Sequence, residues 1–366
     1  MRVLKRVAWW SAGAISLALL ALLIAWWRSS NTCSDRGAAP QGNLMKAIVY
    51  CDYGSPDVLR LENIEKPAPA DDQILVRVRA ASVNPLDWHY IRGTPYVMRM
   101  EAGLRKPKVI RLGVDFAGTV EAVGRSVKQF RPGDDVFGAR TGAFAEYVSV
   151  REDRAVLKPA NLTFEQAASV PVAAVTALQG LRDKGSVQPG QKVLINGASG
   201  GVGTFAVQIA KSFGAEVTGV CSTRNVAMVR SIGADHVIDY TKEDFTEGAQ
   251  RYDLILDNVG NRSLLENRRV LKPKGKYIMV GGPSGRWIDP LPRALDAFLL
   301  SRFVSQDMTM FLAELNKEDL TILRDLMQAG KVTPVIDRRY RLSEVPEAIR
   351  YLEAGHARGK VVVTVE

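Results

Sequence analysis

The stretch 193–211 constrains the fold of this chain more than any other part of the sequence. Val193, Leu194 and Ile195 form an apolar run that is typical of a buried parallel strand. A glycine-rich turn follows, and apolar residues then recur at helical spacing over 202–209. The pattern predicts a strand, a tight turn and an amphipathic helix packed on a sheet. That unit is the core of an α/β fold built on a parallel sheet.

Small residues occupy the turn at the spacing of a dinucleotide-binding motif, with alanine at the first position. They are needed because the backbone turns sharply, a pyrophosphate approaches it, and the helix lies close to the strand. The N–H groups at the start of the helix bind the negative phosphates. The predicted cofactor-binding residues of the turn are Ala198, Ser199, Gly200, Gly201, Val202 and Gly203. The alternative is a glycine-rich turn without a nucleotide.

The end of the next predicted strand, 216–221, indicates which cofactor binds. In a site that prefers NAD, an acidic residue about 20 residues beyond the turn binds the ribose hydroxyls. Here Ser222, Thr223 and Arg224 stand in that place. Hydroxyls and a guanidinium suit a 2′-phosphate, so the sequence favours NADPH over NADH. For Arg224, the alternative is an exposed cation at a helix start.

The N-terminal segment predicts a membrane anchor over residues 1–28, followed by a flexible linker over 29–44. Residues 7–27 are uncharged, long enough to span a bilayer, and have tryptophan pairs at both ends. A cleaved signal peptide is the rival interpretation, but residues 26–29 make a poor cleavage site. Basic residues flank both ends and leave the orientation open. Cofactor supply favours a single-pass protein whose catalytic domain faces the cytoplasm.

The net charge and the placement of the cysteines and histidines limit the classes of partner and metal that this chain can bind. The net charge of +10 suits a phosphorylated cofactor or an anionic membrane surface, whereas no basic tract interleaved with aromatics predicts nucleic acid. A zinc site needs several converging ligands, and the sequence shows no cluster of them. We therefore predict no metal and no disulfide framework. The isolated residues on which this rests are Cys33, Cys51, Cys221, His89, His236 and His356.

Short alternating strands and glycine turns from residue 45 onward predict a barrel-like β lobe. Within it, Asn84-Pro85-Leu86-Asp87 precedes Tyr90, Arg92 and Gly93, and further blocks follow at 113–120, 133–137 and 142–148. In this order the blocks resemble those of zinc-independent quinone oxidoreductases of the medium-chain dehydrogenase/reductase superfamily. The resemblance covers essentially 45–366.

The resemblance implies an architecture of two lobes with a cleft between them, a usual place for a ligand. A GroES-like β-barrel catalytic domain is expected over 45–170 and 317–366. A Rossmann domain, a doubly wound parallel sheet, is expected over 171–316. Relatives also pair across an edge strand, which implies a homodimer through 308–312.

Further cofactor contacts are expected around the crevice of the parallel sheet. Asn258, Gly281 and Gly282 follow strands whose carboxyl ends meet there. The resemblance implies that Thr176 and Tyr240 border the cofactor. For Thr176 the alternative is a hydroxyl bonded to its own helix backbone, and for Tyr240 an ordinary strand-end aromatic. Arg358 reaches the phosphate or lies in a solvated turn.

The implied reaction is hydride transfer from NADPH to a lipophilic quinone or α,β-unsaturated carbonyl. Asn84 is expected to donate a hydrogen bond to the acceptor oxygen, and Tyr90 to act as a second donor or proton source. Asp87 and Arg92 are expected to pair and hold the loop. Three alternatives stay open: a membrane-tethered nucleotide-binding scaffold with little turnover, an NAD(P)-dependent alcohol dehydrogenase, and a reductase of lipid-derived enones.

Overall fold

Short strands dominate the described chain, as the alternating apolar patterns predict. The computed structural model describes residues 20, 23–24, 33, 42–282, 288 and 290–365. The strands are β1 (Leu44–Val49), β2 (Arg60–Glu65), β3 (Gln73–Val83), β4 (Asp115–Val123), β5 (Asp135–Ala139), β6 (Tyr147–Arg151), β7 (Ala155–Leu157), β8 (Lys192–Asn196), β9 (Glu216–Cys221), β10 (His236–Asp239), β11 (Tyr252–Asp257), β12 (Leu271–Met279), β13 (Asp307–Met310), β14 (Ile336–Arg341) and β15 (Lys360–Thr364).

These strands form two large sheets and one small one. Six strands make a parallel sheet in the order β10-β9-β8-β11-β12-β13. Seven strands make a largely antiparallel sheet in the order β14-β15-β3-β4-β5-β7, with β6 paired to β3. β1 pairs with β2 alone as an antiparallel ladder. The predicted α/β class with a parallel sheet is confirmed.

The helices connect these strands, and some cover the parallel sheet while others pack in the core of the antiparallel sheet. They are α1 (Pro85–Arg92), α2 (Arg99–Ala102), α3 (Phe164–Ala168), α4 (Pro171–Gln179), α5 (Gly201–Ser212), α6 (Val226–Ser231), α7 (Leu264–Arg269), α8 (Leu291–Leu300), α9 (Lys317–Gln328) and α10 (Val345–Glu353). A π-helical turn, Gly180–Lys184, extends α4. The apolar face of α9, with Leu320 and Leu323, packs into the core that also holds Leu254 and Leu256 of the parallel sheet.

The last strand, β15, brings the two lobes together at the glycine turn. The chain crosses back after α10, and Gly359 donates its backbone N–H to the carbonyl of Ser199 over 2.8 Å. β15 then runs antiparallel to β3 in the first lobe. The start of β15 therefore lies between the glycine turn and the segment that follows β3.

Two predictions about the N-terminal part need correction or fall outside the structure. No helix within the described ranges has the length and apolar character needed to cross a bilayer. The predicted anchor over 7–27 lies outside the described residues except for Leu20, Leu23 and Ile24. The prediction that the three cysteines form no disulfide framework needs correction for two of them, because Cys33 forms a disulfide with Cys51. Their Cα atoms lie 5.8 Å apart, a proximity that their spacing in the sequence does not reveal.

Candidate active site

The glycine turn has the tight geometry that the motif predicts. Gly197 leaves β8 with φ of 76°, and α5 begins at Gly201 after a turn capped by Gly200. A Cβ atom on Gly203 would lie 2.1 Å from the Gly197 carbonyl oxygen, so only glycine fits there. A Cβ on Gly200 would meet nothing closer than 3.5 Å, which leaves this face of the turn open. Ala198 and Val202 pack against the core behind the turn.

Two amides beside the turn have oxygens that lack a partner within the described chain. Asn225 donates to the hydroxyls of Ser199 and Ser222 over 3.0 and 3.2 Å, and its buried Oδ1 accepts nothing. Asn258 donates to the carbonyl of Asn196 over 2.9 Å, and its Oδ1 is likewise buried and unpaired. A buried acceptor without a donor is costly, so a cofactor with hydroxyl or amide donors fits this crevice. The sequence reasoning missed Asn225, because an asparagine at a helix start is ordinary capping chemistry.

The expected 2′-phosphate residues come together on an exposed rim. Arg224 donates to the carbonyl of His356 over 2.8 Å, which links the end of β9 to the loop that carries Arg358. Tyr240 follows β10 and is 53% exposed, and its N–H bonds the carbonyl of Cys221. Arg224 and Arg358 are both exposed on these linked segments, and two guanidiniums match the charge of a phosphate.

Asp239 is an acidic neighbour of this rim that the sequence reasoning missed. The Thr223 hydroxyl donates to its carboxylate over 2.6 Å, and Thr241 donates from both its hydroxyl and its N–H. These bonds lower the pKa of Asp239 to about 2. Because the carboxylate is fully engaged by donors, its charge is satisfied within the protein.

The remaining predicted cofactor residues differ in what they offer. The Thr176 hydroxyl donates to the carbonyl of Val172 over 2.7 Å, as in the backbone-bonded alternative. A Cβ on Gly281 would lie 2.2 Å from the Asn258 carbonyl oxygen, so Gly281 allows the two strand ends to approach. Gly282 lies just beyond it, at the edge of the described segment.

On the opposite side of the cleft, Asn84 and Asp87 form the cap of α1. The Asp87 carboxylate accepts the N–H of Asn84 over 2.8 Å and that of Gly113 over 3.0 Å. Burial raises the pKa of Asp87 to about 7. The predicted pair of Asp87 with Arg92 is wrong. Arg92, at the end of α1, faces α10 and binds the Glu353 carboxylate with two N–H groups.

The Asn84 side chain lies in a buried network that reaches across distant segments. Its Nδ2 donates to Asp115 over 2.9 Å, and its Oδ1 accepts the Lys360 ammonium over 2.6 Å. Asp115 also accepts the Ser82 hydroxyl over 2.8 Å and the N–H of Val172 over 3.0 Å. Each of the side chains Ser82, Asn84, Asp115 and Lys360 is at most 3% exposed.

Sequence reasoning missed both ionic members of this network. Lys360 stands just before the apolar run 361–363, and a lysine at a strand start is ordinarily solvated. Asp115 lies inside a recognised block but has no local partner. Burial lowers the pKa of Lys360, and the nearby Asp115 carboxylate opposes that shift.

Tyr90 projects from α1 into a half-buried group of tyrosines. Burial raises its pKa. Tyr50 lies close to it, and the Tyr50 hydroxyl is buried without a partner in the described chain. The hydroxyl of Tyr53 donates to the carbonyl of Gly103 over 2.6 Å.

The described residues hold no group of three or more His, Cys, Asp or Glu side chains arranged to bind a metal ion. Cys33 and Cys51 are joined to each other. The thiol of Cys221 is buried at the end of β9, and burial raises its pKa to about 11.

Two family models and several named proteins match the sequence of this chain. Residues 70–160 match the family model for the alcohol dehydrogenase GroES-like domain, and residues 232–363 match the model for zinc-binding dehydrogenase. The chloroplastic NADPH-dependent alkenal/one oxidoreductase of Arabidopsis thaliana is 36% identical over 334 residues, 87% of this chain and 79% of that protein. The mitochondrial NAD(P)H oxidoreductase RTN4IP1 of Mus musculus is 37% identical over 360 residues, 89% of this chain and 90% of that protein.

A solved structure agrees with this placement. The quinone oxidoreductase from Coxiella burnetii superposes with a TM-score of 0.78 at 33% identity, covering 88% of this chain and all of that one. The predicted GroES-like and Rossmann architecture is confirmed. The predicted localisation, a single-pass anchor with a cytoplasm-facing domain, is wrong. No helix in the described part can span a membrane, and the two relatives above are named as mitochondrial and chloroplastic.

Proposed function

We propose that this chain, which belongs to the quinone oxidoreductase-like branch of the medium-chain dehydrogenase/reductase superfamily, transfers a hydride from NADPH to a quinone or enone. The observation that carries the proposal is the open glycine turn with two unpaired amide oxygens beside it. An alcohol dehydrogenase or a scaffold without turnover fits less well, since relatives matching most of this chain are named for alkenal/one and NAD(P)H oxidoreductase activities.

The cofactor is NADPH, and this chain offers groups for its phosphates and for its hydroxyl or amide donors. The N–H groups at the start of α5 suit the pyrophosphate. Ser222, Arg224 and Arg358 suit the 2′-phosphate, and the oxygens of Asn225 and Asn258 accept hydroxyl or amide donors. When bound, NADPH supplies the hydride, and the protein supplies orientation and a site shielded from water.

The acceptor lies against Asn84 and Tyr90. Asp115 takes one of the two Nδ2 hydrogens of Asn84, which leaves one N–H for the acceptor oxygen as negative charge develops on it. Tyr90 is neutral at physiological pH, since burial raises its pKa, and its hydroxyl is a second donor or a proton source. No zinc is needed in this arrangement, because amide and hydroxyl donors polarise the acceptor.

A homodimer through residues 308–312 fits the same fold. β13 is the last strand of the parallel sheet and pairs only with β12 among the described strands. Leu312 beside it is 86% exposed. An open edge and an exposed apolar side chain suit pairing with a second copy.

The test is turnover by the purified chain with NADPH and with NADH against a panel of quinones, alkenals and simple alcohols, with and without a chelator. The proposal predicts NADPH-preferring reduction of quinones or alkenals that resists the chelator. Tight NADPH binding without turnover on any acceptor supports the scaffold instead. Oxidation of alcohols that the chelator abolishes supports a zinc-dependent alcohol dehydrogenase.

A further inference from the structure

A buried lysine crosses from the cofactor side of the cleft to the acceptor side. Lys360 is 3% exposed and opens β15, next to the Gly359 N–H that bonds Ser199 in the nucleotide turn. A Cβ on Gly201 would lie 3.3 Å from Lys360 Cδ, so the lysine stem runs beside the start of α5. Its ammonium reaches Asn84 Oδ1 over 2.6 Å and the carbonyl of Val83 over 3.2 Å.

The charges on either side of the Asn84 amide determine which way the amide faces. An ammonium can only donate, so Lys360 requires the amide oxygen. A carboxylate can only accept, so Asp115 requires the amide nitrogen, which lies 2.9 Å away. A flipped amide would place its NH2 group against the Lys360 ammonium and its oxygen against the Asp115 carboxylate. Donor would then face donor, and acceptor would face acceptor. One Nδ2 hydrogen then remains, and the orientation of the amide fixes its direction.

The same contacts polarise the amide. A hydrogen bond from a cation to the carbonyl oxygen draws electron density from the nitrogen, which makes the remaining N–H a stronger donor. We propose that Lys360 is a positioning residue for hydride transfer: it orients and polarises Asn84 so that the free N–H meets the oxyanion of the acceptor. The inference rests on the proposed function, in which Asn84 contacts that oxygen.

Asp115 serves as the counter-ion that keeps this cation in the core. It lies 3.5 Å from the Lys360 ammonium and is held by the Ser82 hydroxyl and the N–H of Val172 at the start of α4. If the pair had a purely structural role, removing it would lower the stability of the fold without a separate effect on kcat. The inference instead requires that activity depend on Lys360 even when the fold is intact.

A double-mutant cycle separates these roles. The variants are Lys360→Met, Asn84→Ala and the combination, with kcat, KM for both substrates, NADPH affinity by fluorescence and thermal stability measured on each. Lys360→Met should lower kcat about tenfold to a hundredfold, while NADPH affinity changes little. This loss is smaller than the loss expected when a residue that contacts the oxyanion directly is removed. In the Asn84→Ala background, Lys360→Met should cause no further loss of kcat, because it acts through that amide.

Two further variants keep the test decisive if Lys360→Met folds poorly. Lys360→Met combined with Asp115→Asn removes both charges and should recover thermal stability without recovering kcat. Lys158→Met is the matched control, since its half-buried ammonium donates to the backbone carbonyls of Pro159 and Leu162 and lies over the Phe164 ring, away from Asn84. Its kcat should stay near that of the parent chain.

The outcomes distinguish the inference from the function beneath it. Additive losses in the cycle, or recovery of kcat in the charge-neutral variant, would overturn the positioning role while leaving the reductase intact. If Asn84→Ala keeps full kcat, the acceptor contact itself is wrong, and the inference fails with it. Absence of turnover by the parent chain on every acceptor refutes the proposed function directly.

Discussion

The two sides of the cleft differ in where their charges lie: one side exposes them and the other buries them. The proposed cofactor side presents exposed cations, Arg224 and Arg358, on loops whose next residues, Asn225 and Gly359, bond Ser199. The proposed acceptor side buries an ammonium and a carboxylate, Lys360 and Asp115, around a single amide. Exposed charges recognise an incoming anion and are screened by salt, whereas buried charges hold a neutral group in one orientation.

This difference predicts which substitutions damage the fold and which damage only binding. Removing one member of a buried pair leaves the other charge without compensation in the core. Removing an exposed cation leaves only solvated neighbours. Four predictions test this contrast, two on each side of the cleft.

The largest effect is expected for Asp115→Ala on the acceptor side. The substitution leaves Lys360 as a buried cation and removes an acceptor from Ser82, Asn84 and Val172. We expect a loss of about 3–5 kcal/mol in the free energy of unfolding, measured by urea denaturation. Lys272→Met, which breaks a partly exposed pair with Asp253, should cost about 1 kcal/mol or less. Similar losses in both variants would erase the contrast.

Asp87 should make the stability of the acceptor side depend on pH. Its folded pKa of about 7 lies above the value of an unfolded aspartate, so the folded chain binds the extra proton. Stability from this group is therefore complete below about pH 4 and is lost as the pH rises through 7, with an upper limit of about 4 kcal/mol. Thermal unfolding from pH 5 to 8 should show this slope, and Asp87→Asn should flatten it. A parent profile that rises over that range contradicts the assignment.

Two glycines on the cofactor side should separate folding from binding. Gly203→Ala places a Cβ against the Gly197 carbonyl and should cost about 1–3 kcal/mol in unfolding free energy, with weaker NADPH binding. Gly200→Ala has room and should leave stability unchanged while still weakening NADPH binding at the open face of the turn. Calorimetry and fluorescence titration measure the two quantities. Equal stability of the two variants would refute the steric argument.

The smallest effect is expected for Arg224→Ala at the exposed rim. NADPH affinity should fall about tenfold, or about 1.4 kcal/mol, with no change in NADH affinity or thermal stability. The loss should shrink at high salt, because the contact is solvent-exposed. Arg230→Ala on α6 is the control, an exposed cation on the helix that follows. An equal loss of NADH affinity removes the 2′-phosphate role.

Prediction from the sequence succeeded where structure depends on neighbours in the chain. The strand, glycine turn and helix at 192–212 follow from local periodicity and from the need for small residues, and the structure has them at the expected places. The preference for NADPH, inferred from the loop after β9, agrees with the NADPH-dependent relative, whereas the roles of Ser222 and Arg224 stay predictions. The edge strand near 308, which the family resemblance implies, is present as β13.

Prediction failed where a side chain finds its partner far away. Arg92 binds Glu353, 261 residues further along the chain, instead of Asp87, because the fold returns distant segments to one another. Cys33 and Cys51 are only 18 residues apart, but their spacing does not show that the chain between them folds back to join them.

Local spacing by itself determined the α/β class, the nucleotide turn and the preference for a phosphorylated cofactor, because these depend on backbone geometry and charge within about 30 residues. Only the tertiary structure decided that Lys360 and Asp115, 245 residues apart, share a buried site around Asn84. Desolvation is a property of the assembled core, so no window of sequence can show which charges will lose their water.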